Sequence, residues 1–227
     1  RSVLDAVSRG PVTIRTLDVG GDKSIPFLTQ APEANPFMGL RSIRLSFEYP
    51  DLFLQQIRAA LRAAHGVDQE VKLLFPMITT REELLRIHEF VDEARANLHA
   101  ARVPFRAVKI GMMLEVPAAA VMIDRLLAHV DFVSIGSNDL VQYLTAADRD
   151  NPKVSHLCQA LCPAVLRVLQ HVISTCCEAK KPVAVCGEMA GSPRAFPLLF
   201  GMGLRTFSMS SSFIPAIRDL AAHVSVS

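Results

Sequence analysis

The 227-residue chain contains no basic run or stripe: 24 Lys plus Arg stand against 22 Asp plus Glu, for a formal net charge of +2. The electrostatic footprint of a nucleic-acid binder is therefore missing. No stretch reaches the roughly 18–20 uncharged apolar residues that a helical membrane span needs. The opening RSVLDAVSRG, its apolar residues interrupted by charges, is not a signal peptide. Five cysteines (Cys158, Cys162, Cys176, Cys177 and Cys186) are an odd count without framework spacing. They read as reduced thiols of a cytoplasmic protein, not as a disulfide scaffold. Cys158 and Cys162 stand four apart, but no second Cys or His pair completes a zinc set. An initiator Met is also missing, and the chain is read as a fragment. What is present is globular in composition, half hydrophobic and 20% charged, with length for one large domain or two small ones.

Strand-like and helix-like segments alternate without a long linker or low-complexity break. The short β-branched run at Val12–Ile14 is followed by VKLLFPMI (71–78), VKIGMML (108–114), DFVSIG (131–136), PVAVC (182–186) and LRTFSM (204–209). Most are almost continuously apolar, as expected of strands covered on both faces in a parallel sheet. Between them, Leu54, Ile57 and Leu61 repeat on one face of a helix that Gly66 stops. Thr80 and Glu83 form a capping box ahead of Leu84, Ile87, Val91, Ala94 and Leu98. Pro117 opens a helix through AAAVMIDRLL, and Pro163 opens another that ends in lysines, favourable at the negative pole of the helix dipole.

About six strand–helix units fit this pattern. Alternation of this kind predicts a parallel α/β fold, either an open doubly wound sheet or a barrel. The placement of unusual polar residues favours the barrel. Arg15, Glu115, Asn138-Asp139 and Cys186 each sit at or just past the carboxyl end of a predicted strand, where barrel enzymes place their chemistry. The expectation is a (β/α)8 TIM barrel, truncated, with the first strand–helix units missing. Residues 1–227 are read as a single barrel domain.

The residue types at those ends define a limited chemistry. Glu115 and Asp139 are carboxylates on consecutive strand ends, suited to a hard cation such as Mg²⁺, or equally to helix caps and a buried ion pair. Arg15, Arg41 and Arg149 are guanidinium groups of the kind that fork onto phosphate or carboxylate, although any one of them alone reads as a surface salt bridge. Cys186, in AVCGEMAG, is either an inert small residue or a proton donor beside a metal-bound enolate. The Gly20-Gly21 pair marks a tight turn able to approach a phosphate, a weak signal by itself.

Seven ordered stretches carry a resemblance: RTLDVGGDK, EANPFMGLRSIR, LLFPMIT, GMMLEVPAAA, SIGSNDLVQY with DRDN, AVCGEMAG and GMGLRTFSMS. Together they make the chain, from about Pro11 to Leu220, similar to the phosphoenolpyruvate-utilising enzymes. Within these it resembles the C-terminal phosphoenolpyruvate-binding domain of Enzyme I, the phosphoenolpyruvate–protein phosphotransferases of the bacterial sugar phosphotransferase system. The resemblance implies that Arg15 and Arg41 hold the phosphate, Glu115 and Asp139 ligate Mg²⁺, Asn138 and Asp139 anchor the substrate, and Arg149 grips its anionic end. Cys186 then protonates the enolate to give pyruvate. It further implies a cytoplasmic homodimer, a phosphohistidine on a separate N-terminal domain, and a phosphocarrier protein downstream. None of the seven histidines lies in such an acceptor motif; His88, His99 and His171 fall in helical stretches as surface or packing residues.

Val141 stands where the family commonly has Thr, and Cys158 and Cys162 replace an aromatic and a polar residue. The runner-up readings are a pyruvate phosphate dikinase or phosphoenolpyruvate synthase barrel, and a non-catalytic phosphoenolpyruvate sensor. A sensor has no need of Cys186 and both carboxylates. A Mg²⁺-dependent aldolase or lyase barrel would not need the arginines of RTLD and GLRSIR.

Overall fold

A computed structural model of the chain describes residues 1–20 and 33–225. Six strands form where the apolar runs fall: β1 (Val12–Arg15), β2 (Val71–Phe75), β3 (Lys109–Leu114), β4 (Phe132–Gly136), β5 (Val183–Cys186) and β6 (Thr206–Phe207). They follow one another in the sheet in chain order. The registers of β1 with β2, β2 with β3, β4 with β5 and β5 with β6 are all parallel. β4 is buried along its whole length and β3 along all but its first residue, which explains their unbroken apolar sequences.

Ten α-helices occur among the described residues: α1 (Ser2–Ala6), α2 (Ser42–Glu48), α3 (Pro50–Ala63), α4 (Arg81–Ala100), α5 (Pro117–Val121), α6 (Ile123–Leu126), α7 (Ser137–Thr145), α8 (Pro163–Glu178), α9 (Phe196–Gly201) and α10 (Ile214–His223). The alternation of strand and helix expected from sequence is therefore the architecture. The chain divides into two compact units, Arg1–Met112 and Met113–Ser227.

In the first unit the predicted faces of α3 and α4 are the buried ones: Leu54, Ile57 and Leu61 on α3, and Leu84, Ile87, Val91, Ala94 and Leu98 on α4. Thr80 caps α4 as the sequence indicates, its hydroxyl accepting from the Glu83 amide while the Glu83 carboxylate accepts from the amide of Thr80. Phe47, Phe53, Phe75 and Phe90 tie α2, α3, β2 and α4 together, with Phe53 edge-on to each of the other three at 5.0–6.1 Å between centroids. Arg86 covers this cluster, its guanidinium 4.3 Å from the Phe47 ring centroid.

In the second unit α8 buries Val165, Leu169, Val172, Ile173 and Cys176. Burial, reinforced by neighbouring Cys177, pushes the Cys176 thiol up to about 12, so it behaves as a packing residue. Beyond α8, Lys180 adopts a left-handed φ of 54°, and the ammonium of Lys181 donates to the Val130 carbonyl at 2.7 Å. The lysines at this helix end thus turn and anchor the chain toward β5. The helix expected from Pro117 is interrupted at Met122 (φ −100°, ψ 16°), although its buried face runs on through Ala119, Ala120, Ile123, Leu126 and Leu127.

Candidate active site

The first unit carries two of the candidate arginines. Arg15 is the last residue of β1, and Arg41 is the N-cap of α2. Asp18 joins them: its Oδ2 lies 3.0 Å from Arg15 Nη1 and its Oδ1 lies 3.2 Å from Arg41 Nη2, while the Ser42 hydroxyl donates to Oδ1. The side chains of Asp18 and Arg41 are 6% and 4% exposed, whereas Arg15 is 45% exposed. Burial alone would raise the Asp18 pKa. The Ser42 hydrogen bond and the charges of Arg41 and Arg15 outweigh it, so the carboxyl sits below its ordinary 3.8 and stays ionised. Asp18 thus holds both guanidinium groups in place before any ligand arrives.

Gly20 closes the same cluster. Its φ is +100°, and a Cβ there would lie 2.5 Å from the Leu40 carbonyl oxygen and 2.8 Å from Arg41 Cα. Its structural duty is to let the loop after β1 pass the backbone that carries Arg41. Gly21, the other half of the pair, lies outside the described residues.

The second unit carries the remaining candidates. β4 runs directly into α7, so Asn138 and Asp139 occupy the first helical turn, where the helix dipole favours a carboxylate. Asp139 is 9% exposed in its side chain, and Arg149 Nη1 meets its Oδ1 at 2.6 Å. Arg149 can return to α7 because Ala146 takes a left-handed φ of 51° and Gln142 Oε1 accepts from the Arg149 amide at 3.3 Å.

Asn138 Oδ1 accepts from the Glu188 amide at 3.0 Å, which fixes the amide plane and leaves its NH₂ as the donating end. Gly187 permits this contact. Its φ is +84°, and a Cβ would come within 2.5 Å of Ser137 Oγ and 2.7 Å of Asn138 Oδ1. Ser137 Oγ in turn donates to the carbonyl of Cys186 at 2.6 Å, locking α7 to the end of β5.

Cys186 is the last residue of β5 and is registered beside Gly136. Its thiol donates to the Ile135 carbonyl at 3.4 Å, and the Ser134 hydroxyl donates to its sulfur at 3.6 Å. Glu115 follows β3 and is buried at 4% exposure. Its carboxylate fills the space a side chain on Gly136 would need, with Oε2 2.5 Å from that Cβ position.

No group of three or more His, Cys, Asp or Glu side chains among the described residues is placed to hold a metal. Among these residues no zinc-type set of protein ligands is assembled. That leaves the donor set Mg²⁺ commonly uses: one or two carboxylates, with substrate oxygens and water completing the octahedron. Glu115 and Asp139, two buried carboxylates, fit that description in kind. A cavity of about 330 Å³ opens beside α7, lined among others by Ser137, Asn138, Arg149, Cys158 and Glu188. It has room for a small polar molecule. Two of the three residues that depart from the expected pattern line it, Val141 and Cys158, the latter donating from its sulfur to the Ala147 carbonyl at 3.0 Å.

The candidates therefore divide. Arg15 and Arg41 meet on Asp18 in the first unit, while Glu115, Asn138, Asp139, Arg149 and Cys186 lie on strand ends and the α7 turn of the second. Sequence reasoning missed Asp18, Ser134, Gln142 and Ser137, which hold the candidates in place. The signal for Asp18 was its position three residues after Arg15; the others gave none. His88, His99 and His171 lie on helices, the latter two exposed and His88 half-buried.

The sequence pattern of the family described as "PEP-utilising enzyme, PEP-binding domain" matches residues 1–226. Among curated relatives, phosphoenolpyruvate-protein phosphotransferases from Bacillus sp. (strain S) and Geobacillus stearothermophilus are each 46% identical over 222 residues, 97% of this chain and 38% of theirs. The one from Priestia megaterium is 44% identical over 220 residues, 96% of this chain and again 38% of its own. The chain thus spans little more than a third of the length of these relatives. The solved structure of a citrate lyase from Burkholderia xenovorans LB400 superposes with a TM-score of 0.53 at 21% identity, over 75% of this chain and 53% of that one. At that identity the likeness speaks for the α/β fold alone.

Proposed function

Because the chain belongs to the family of phosphoenolpyruvate-binding domains of phosphoenolpyruvate-utilising enzymes, we propose that it binds phosphoenolpyruvate with Mg²⁺ and passes the phosphoryl group to a histidine on a partner domain, releasing pyruvate. The observation that carries this reading is that side chains of the right chemistry stand at or just past the carboxyl ends of β1, β3, β4 and β5.

In this reading Arg15 and Arg41, steadied by Asp18, take the phosphate, and phosphoryl transfer relies on such fixed positive charge more than on covalent chemistry from the protein. Arg149 and the NH₂ of Asn138 hold the anionic carboxylate end. Glu115 and Asp139 would hold Mg²⁺, which when bound neutralises charge on the phosphoryl and enolate oxygens. For Asp139 this would mean sharing its carboxylate with Arg149, one oxygen accepting from the guanidinium and the other left for the cation. Cys186 delivers a proton to the enolate carbon, and the ketone that results draws the transfer forward.

The six parallel units are read as part of a (β/α)8 barrel, and residues 1–227 as its single phosphoenolpyruvate-binding domain. A phosphohistidine domain, a phosphocarrier protein, a homodimer and a cytoplasmic setting complete the proposal by analogy with the sugar phosphotransferase system. Calorimetric titration of phosphoenolpyruvate with Mg²⁺ into the wild type and Arg41→Ala tests the phosphate assignment. Loss of a charge-assisted clamp predicts at least roughly tenfold weaker binding. Arg15→Ala, at a more exposed position, asks the same question without opening a buried site. Wild-type affinity in both variants would remove the arginines from the phosphate site.

A further inference from the structure

We infer that Ser134 is a positioning residue for the Cys186 thiol: its hydroxyl orients the sulfur as proton donor and stabilises the thiolate left behind. This rests on the reading of Cys186 as the acid that protonates the enolate. Ser134 is buried in the middle of β4, paired in register with Ala184, two residues before the Gly136 that faces Cys186. Side chains two apart on a strand share a face, so the hydroxyl reaches the sulfur diagonally across the β4–β5 pair.

Two contacts of the sulfur have opposite directions. The S–H donates to the Ile135 carbonyl, which defines the thiol rotamer, and the Ser134 O–H donates to the sulfur itself. A carbonyl acceptor serves the sulfur only while it carries a proton. A hydroxyl donor serves it better once the proton has gone, because hydrogen bonds to an ionised acceptor are the stronger kind.

In the proposed step the S–H bond breaks and its electron pair remains on sulfur. The enolate C2–C3 π pair forms the new C3–H bond, and the C2–O bond becomes the pyruvate carbonyl. Negative charge thus moves from the enolate to the sulfur, the atom at which the Ser134 hydroxyl is aimed. Alanine at 134 would preserve the strand and remove only that donor.

The reverse half of this step is measurable on the chain itself as exchange of pyruvate methyl hydrogens for solvent deuterium, with Mg²⁺ and inorganic phosphate present, followed by proton NMR. Ser134→Ala is expected to slow exchange roughly 5- to 10-fold, the weight of one ordinary hydrogen bond, with the half-saturating pyruvate concentration unchanged. Ser134→Thr, which keeps the hydroxyl, restores the rate. In a Cys186→Ala background, Ser134→Ala causes no further loss, because its effect passes through the sulfur.

Wild-type exchange by Ser134→Ala, where Cys186→Ala is slow, would overturn the role of Ser134 and leave the reading of Cys186 standing. Equal loss from Ser134→Ala in both backgrounds, or a raised half-saturating concentration, would also overturn it by exposing a merely structural effect. If Cys186→Ala exchanges as fast as wild type, the reading of Cys186 itself falls, and the role of Ser134 with it. Should Ser134→Thr melt early, the comparison of Ser134→Ala between the two backgrounds still decides.

Discussion

Replacing Asp18 by Asn isolates the anion on which Arg15 and Arg41 converge. The amide keeps the shape of the carboxylate and can still accept from Ser42, but Arg41, only 4% exposed, loses the charge of Asp18. Removing one member of a buried ion pair costs about 3–5 kcal/mol, because the surviving charge stays desolvated. Arg15 is nearly half exposed and adds little, within the 0–1 kcal/mol or so of a surface pair. The retained amide hydrogen bonds place the expected loss at the lower end, about 3 kcal/mol. For a chain of this length, that corresponds to a fall in melting temperature of roughly 6–12 °C.

The pH dependence supplies an internal control. Burial raises the Asp18 pKa, but Ser42, Arg41 and Arg15 together hold it below the ordinary 3.8. The folded-state value therefore lies under the unfolded one, so the stabilisation is complete above 3.8 and is lost as pH falls through the lower, folded value. Thermal melts followed by circular dichroism should show a constant gap between wild type and Asp18→Asn at pH 5–7, closing in stronger acid. No gap at neutral pH, or a gap that persists in acid, would refute the assignment of Asp18 as the charged keystone of this cluster.

Gly136→Ala places a Cβ 2.5 Å from Glu115 Oε2. It should weaken Mg²⁺ binding, read by Mn²⁺ competition, by about 10-fold or more, as disturbance of a ligand's setting does; unchanged affinity would take Glu115 out of the metal site. Thr80→Ala removes the hydroxyl half of the α4 capping box and should cost about 1 kcal/mol in a urea titration without changing phosphoenolpyruvate affinity. Phe53→Ala should cost about 3–5 kcal/mol in the same titration, because it empties the centre of the ring cluster that joins α2, α3, β2 and α4. A loss below 1 kcal/mol would show that cluster to be peripheral.

β2, β3 and β4 were legible because a strand covered on both faces is apolar at almost every position, and such runs are hard to mistake. β6 shows the limit. LRTFSM is apolar enough to suggest a strand over 204–209, yet only Thr206–Phe207 is strand, with one further rung from the Ser208 amide to the Val185 carbonyl at 2.8 Å. The candidate residues were legible by their position after strands. Their holders were not, because a buried Asp18 or Ser134 looks in sequence like any other small polar residue. Gly187 is one more glycine in the sequence, and its requirement comes from Ser137 and Asn138, some fifty positions earlier in the chain. Pairings of that range are set by register, which one sequence does not display.

The central claim, that this chain binds phosphoenolpyruvate through a magnesium-dependent site, is tested most directly by calorimetry of phosphoenolpyruvate with Mg²⁺ and with EDTA. The account predicts one phosphoenolpyruvate per chain with Mg²⁺ and a loss of affinity of roughly 100-fold without it, the few kcal/mol that a bound cation contributes on anionic oxygens. Equal affinity in EDTA, or no binding under either condition, would contradict it.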